Sequence, residues 1–208
     1  MSKATWTLFG TGYFVNDIFD AVEARNEQVT HIILNQKIDK ARMDIIPKNI
    51  TIQKIDDFKP HTTYYFFSFI NPNKKPILDI IKHKKIVFSN LIHPFSYISK
   101  SSLLGQGNFV GAGAVVGPNV KMGNFNTINR TASLGHDIIM GNHNHVGPGV
   151  TITGRCKIGD KNFFGAGSTV IDGRIISDDI IIGAGAVVVT DLVKPGTYVG
   201  VPAKKLFK

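Results

Sequence analysis

The sequence predicts two domains of different architecture: a small, Rossmann-like α/β domain over residues 1–90 and a parallel β-helix over residues 91–208. Three observations predict this. Strand-like and helix-like apolar runs alternate through the first ninety residues. From Leu91 onward the period changes to a strict six residues. Within that six-residue pattern, glycine follows the apolar position in ten of seventeen repeats.

The elements of the first domain follow in order. TWTLF (5–9) is a short apolar strand, and GTG (10–12) turns the chain. YFVNDIFDAVEA (13–24) places Val15, Ile18, Phe19 and Val22 on one helical face, and THIILN (30–35) is the second strand. Residues 36–63 read as polar and irregular. YYFFSFI (64–70) is a buried strand, NPNKKPILDIIKHK (71–84) a helix opened by Pro72 and Pro76, and KIVFSN (85–90) the last strand. Strands separated by helices pair in parallel, which gives a small sheet with helical cover.

In the second domain, every sixth residue from Ile92 to Val188 is apolar, seventeen in a row. With 43% apolar residues overall, such a run arises by chance about once in a million. A six-residue unit is one short strand and one corner, and three units make a triangular coil whose sixth-residue column points inward and stacks on itself. Coils ~4.8 Å apart make a prism of just under six turns, roughly 27 Å tall. Two residues before the column, small or branched residues such as Ala114, Val120, Ala132, Val150, Cys156 and Ser168 fit the interior. The glycines after the column are expected to supply turn conformations that a side chain would oppose.

Composition excludes several classes. No apolar run approaches the ~20 residues of a bilayer span, and MSKATWTLFG lacks the features of a signal peptide, so a cytoplasmic location is expected. The single cysteine, Cys156, excludes an internal disulfide framework and reads as a small buried filler. The net charge of +9 is dispersed, with 13 basic and 9 acidic residues over 1–90 and 11 and 6 over 91–208. Neither nucleic acid nor a membrane is expected as a partner. The general positive field favours phosphorylated small molecules.

IHP (92–94), GHDIIMG (135–141), HVGPG (145–149), IGDKNFFGAGSTV (158–170), IIGAGAVVVTD (181–191) and GVPAK (200–204) follow one another in this order along the chain. Together they resemble the signatures of hexapeptide-repeat acyltransferases, and within them the family of sialic-acid O-acetyltransferases and nucleotide-amino-sugar N-acetyltransferases. The resemblance implies a left-handed β-helix, a homotrimer, and acetyl-CoA bound in the groove between adjacent prisms, with no metal.

By motif, the resemblance places the catalytic base on His136, the third residue of its hexad and so at or near a corner. An imidazole suits proton removal from an attacking amine or hydroxyl near neutral pH. Asp137 falls where relatives carry a carboxylate that orients the base, although its type and place also suit a turn. Gly154 lies eighteen residues on, one coil away, where a backbone N–H can meet a thioester oxyanion. The resemblance further assigns His145, Ala166 and Ala184 to the coenzyme. Lys204 and Lys205 are placed to pair with phosphate. His143 has no counterpart and reads as solvated.

In the resembled family the first domain binds a sugar nucleotide, with its pyrophosphate near a Gly-rich first turn and an acidic pair after the second strand. Gly10, Thr11, Gly12, Tyr13 and Asn35 occupy these positions and are the expected substrate-binding residues. Tyr13, Phe14, Asn35 and Gln36 depart from the family pattern, which leaves the nucleotide unspecified. The leading function is acetyl-CoA-dependent N-acetylation of a nucleotide-linked amino-deoxysugar. The alternatives are O-acetylation of a sugar, a non-catalytic trimeric scaffold, and a zinc-dependent β-helix enzyme using the three histidines 136, 143 and 145.

Overall fold

A computed structural model describes residues 3–12, 14–34, 37–60, 64–70, 73–84 and 86–206. The expected substrate residues Tyr13 and Asn35 lie outside the described residues. The chain divides into two compact units, Met1–Pro94 and Phe95–Lys208.

The first unit is a four-stranded parallel sheet in the order β3-β2-β1-β4, made of β1 (Thr5–Phe9), β2 (Gln28–Leu34), β3 (Thr51–Lys54) and β4 (Tyr64–Phe67). Helix α1 (Val15–Ala24) buries Val15, Ile18, Ala21 and Val22, a 3.6-period stripe, with Phe19 half-buried at its margin. Short α2 (Lys40–Asp44) opens on Asp39, whose side chain accepts the Arg42 N–H, and α3 spans Lys75–Ile81. Phe9, Phe58, Phe67 and Phe88 form the aromatic core, with Phe67 and Phe88 stacked at 4.6 Å between centroids.

Two sequence expectations fail in this unit. Ile86–Asn90, expected as a strand, forms none. Phe88 anchors that stretch by stacking, and the Ser89 N–H donates to the Tyr65 carbonyl at 3.0 Å at the sheet edge. The reputedly irregular region instead supplies α2 and the edge strand β3. TIQK has one strongly apolar residue, too little for a two-residue period to register.

The second unit is a parallel β-helix. Each two-residue strand pairs in parallel with the one eighteen residues on, as in Lys121↔Ile139, Thr127↔His145 and Ser133↔Thr151, so the three faces are three separate sheets. From Val110 to Val188 every column residue is buried. Ala114, Val120, Ala132, Val150, Cys156 and Ser168 are fully buried as expected, and burial pushes the Cys156 thiol up.

Turns are supplied elsewhere than predicted. Positive φ recurs three residues after the column, at Gly107, Gly113, Asn119, Phe125, Thr131, Asp137, His143, Gly149, Arg155, Lys161, Gly167, Gly173, Asp179 and Gly185. A non-glycine residue in this conformation costs roughly 1 kcal/mol. The turn is held by the previous coil: Phe125 N–H donates to the Gln106 carbonyl, Thr131 to Ala112 and Asp137 to Pro118, each at 2.9 Å. The glycine directly after the column serves space instead. A Cβ at Gly117 would lie 2.8 Å from the Gly135 carbonyl oxygen of the next coil.

The sequence reading also overlooked a buried amide ladder. Asn108, Asn126, Asn144 and Asn162 stack at eighteen-residue intervals, and each Oδ1 accepts the backbone N–H eighteen residues on, at 2.8–2.9 Å. Asn108, Asn126 and Asn144 also donate Nδ2–H to carbonyls of Gly123, Gly141 and Gly159 at 2.9 Å. These bonds satisfy polar groups that would otherwise be costly inside the prism.

Candidate active site

His136 stands on the corner between the sheet containing Ser133–Leu134 and the one containing Ile139–Met140. Its side chain is half-exposed, and Nδ1 lies 2.7 Å from Asp137 Oδ2. The Asp137 backbone sits at φ 57°, so Asp137 is both the turn residue and the partner of the imidazole. Its other oxygen, Oδ1, accepts the Asn119 Nδ2–H from the previous coil at 3.1 Å. The His136 hydrogen bond, and after it the Asn119 one, hold the Asp137 carboxyl below the usual carboxylate range. An ionised carboxylate only accepts, so Nδ1 carries the proton of a neutral imidazole and Nε2 is left as the basic nitrogen.

Gly154 lies directly against that nitrogen. A Cβ there would be 2.6 Å from Nε2 and 2.7 Å from Cε1, so the ring fits because the residue is glycine. Gly154 is buried, and its N–H donates to none of the described residues. Gly135 completes the floor, since a Cβ on it would reach within 2.7 Å of the Gly154 nitrogen.

The other expected coenzyme residues stand elsewhere on the prism. His145 is buried in the strand His145–Val146, its ring stacked on Phe163 at 4.8 Å. Ala166 and Ala184 are exposed, one coil apart, on the corner that follows the His145 sheet. One full face therefore separates them from the His136 corner, and a single chain does not bring the two sets together. Lys204, in the terminal antiparallel pairing Val199↔Lys204, is exposed. His143 is stacked on Phe125 at 5.3 Å rather than simply solvated. Among the described residues no group of three His, Cys, Asp or Glu is arranged to hold a metal ion.

In the first unit, Gly10 has φ 87° and donates its N–H to the Ile33 carbonyl at 2.9 Å. Thr11 is buried, and the Gly12 carbonyl accepts the Val15 N–H at the start of α1. A cavity of 580 Å³ at the C-terminal ends of β2 and β3 is lined by Leu34, Ile38, Met43, Ile52, Gln53 and Ile55. Sequence reasoning missed Asn119, whose signal is its place eighteen residues before Asp137. It also missed the buried Lys74, which looks like one more basic residue in a polar run.

No protein-family model matches the chain, and no curated protein is similar to it in sequence. Solved structures are similar over its whole length. PerB from Caulobacter crescentus, in complex with CoA and GDP-perosamine, is 26% identical with a TM-score of 0.84, covering 99% of each chain. The acetyltransferase domain of PglB from Neisseria gonorrhoeae, in complex with acetyl coenzyme A, is 22% identical with a TM-score of 0.86, covering 99% of this chain and 100% of that one. WeeI from Acinetobacter baumannii is 20% identical with a TM-score of 0.84, covering 98% and 100%. No helix is long and apolar enough to cross a membrane among the described residues. Over its full length, then, the chain shares the fold of these structures, an α/β unit followed by a left-handed parallel β-helix.

Proposed function

We propose that the protein transfers the acetyl group of acetyl-CoA to the amino group of a nucleotide-linked amino-deoxysugar, with His136 as general base. The observation that carries this reading is the His136 imidazole fixed by Asp137 at Nδ1, with Nε2 against the Gly154 backbone. Its likeness to an N-acetyltransferase structure holding CoA and GDP-perosamine supports an amine on a nucleotide sugar as acceptor.

The chemistry follows from the side chains. The acceptor nitrogen attacks the thioester carbonyl carbon, and His136 Nε2 takes the proton that this nitrogen sheds. Asp137 stabilises the resulting imidazolium. The Gly154 N–H donates to the oxyanion as it forms. Collapse breaks the C–S bond, and His136 returns the proton to the leaving thiolate.

His136 and the Ala166/Ala184 column occupy different corners of one prism. A thioester lying along one column and reached by the other's imidazole therefore needs two chains, which supports a homotrimer. In this reading residues 1–90 bind the sugar nucleotide, residues 91–208 perform the transfer, and His145 and Lys204 contact the coenzyme. Use of acetyl-CoA and a nucleotide sugar suits a cytoplasmic enzyme.

The test is CoA release, followed by thiol titration, with a panel of nucleotide-linked amino sugars against plain sugars. Turnover with the amino-sugar nucleotides is expected. Turnover confined to hydroxyl acceptors would overturn the reading.

A further inference from the structure

The sheet order β3-β2-β1-β4 means that the chain winds outward from β1 through β2 and β3, then returns to the other side of β1 at β4. Ligands of open parallel sheets bind outside the C-terminal strand ends at such a reversal, here between β1 and β4. The segments leaving these strands are fitted together. Ser68 Oγ donates to the Gly10 carbonyl at 2.5 Å, and the Phe69 ring fills the space of a Gly10 side chain. Phe69 Cβ lies 3.3 Å from where a Gly12 Cβ would be. Between the two glycines, Thr11 is 5% exposed, and its hydroxyl has no hydrogen-bond partner among the described residues.

Lys74 belongs to the same cluster. It is 4% exposed, with Nζ 5.5 Å from the centroid of the Phe69 ring. Burial pushes the Lys74 ammonium down to about 8, so the fold bears a cost to keep a cation here. A buried cation and an unsatisfied hydroxyl, set beside a loop that opens a helix, form a receptor for a phosphoryl group.

We propose that Lys74 is the cation that recognises the diphosphate of the acceptor, with Thr11 Oγ hydrogen-bonding the same group. Selectivity for nucleoside diphosphate sugars over free sugars arises at this cluster. The inference rests on the reading of the acceptor as a nucleotide-linked sugar.

The experiment is calorimetric titration of UDP and of GDP into the full-length protein, its Lys74→Met and Lys74→Arg variants, and Thr11→Val, with acetyl-CoA binding as the control. Lys74→Met is expected to weaken both diphosphates by about tenfold or more, Lys74→Arg to retain most of the affinity, and Thr11→Val to lose about threefold to tenfold. Acetyl-CoA binding should be unchanged throughout. If the wild type binds a diphosphate and Lys74→Met binds it equally well, the role of Lys74 is refuted while the acceptor reading stands. If the wild type binds neither diphosphate and acetylates only free sugars, both are refuted. Should Lys74→Met fail to fold, Thr11→Val decides, and unchanged affinity in that variant refutes the cluster.

Discussion

The His136 imidazole rests on Gly154, with Nε2 2.6 Å from the point a Gly154 Cβ would occupy. The ring is the free end of a half-exposed side chain, so it moves before the backbone does. Gly154→Ala is therefore expected to lower kcat about a hundredfold by displacing the base while changing the melting temperature little. Steady-state kinetics with a thermal melt on the same preparation check both halves.

The Asp137 carboxylate fixes which nitrogen of His136 is basic. In Asp137→Asn the amide can donate to Nδ1, leaving the proton on Nε2, and kcat should fall about 10²- to 10⁴-fold with KM for acetyl-CoA nearly unchanged. His136→Ala should fall by a similar factor. The pH sign is definite. The folded-state pKa of Asp137 lies below its unfolded value, so its stabilising contribution is complete above the unfolded value and is lost as pH falls through the folded one. Loss of the Asp137 pairing is accordingly an acid-side event below the ordinary carboxylate range, visible as a fall in wild-type thermal stability there that Asp137→Asn lacks.

Asn119 reaches Asp137 from the coil before and shares its positive φ. Asn119→Gly keeps the turn and deletes the amide. We expect kcat to drop about threefold to tenfold with no loss of thermal stability. Unchanged kcat would remove Asn119 from the orientation of the acid.

Lys74 should cost stability where it serves binding. Its folded pKa, about 8, lies below the unfolded one, so between the two values the unfolded chain holds more protons and wild-type stability rises with pH. Lys74→Met is expected to be more stable than wild type by about 1–3 kcal/mol at pH 7, with the difference shrinking toward pH 10. Urea denaturation of both proteins at the two pH values measures it.

The amide ladder should be costly to break. Asn144→Ala strips the acceptor from the Asn162 N–H and the donor from the Gly159 carbonyl, both inside the prism. A loss of about 2–4 kcal/mol follows, read from chemical denaturation, with no direct effect on KM.

The inward column was legible in the sequence because one residue type recurs at one position, and from Val110 to Val188 burial admits no exception there. The placement of His136 on a corner, with Gly154 one coil on, followed from that period. The role of the glycines did not. Gly117 and its equivalents avoid a collision with the next coil, and a repeat count cannot distinguish close approach from a special φ. Thr51–Lys54 was missed because an edge strand is set by its neighbour's backbone more than by its own side chains. Lys74 was missed for a related reason: only three-dimensional packing reveals that a lysine in NKKP is enclosed.

The left-handed corner repeated from Gly107 to Gly185 gives the chain a graduated scale. Each corner is an equivalent mount, and stepping a reactive pair by eighteen residues moves it about 4.8 Å along the axis without altering the wall behind it. Relocating the histidine and aspartate by one such step would shift the imidazole by that same increment along the prism while its corner geometry stayed the same.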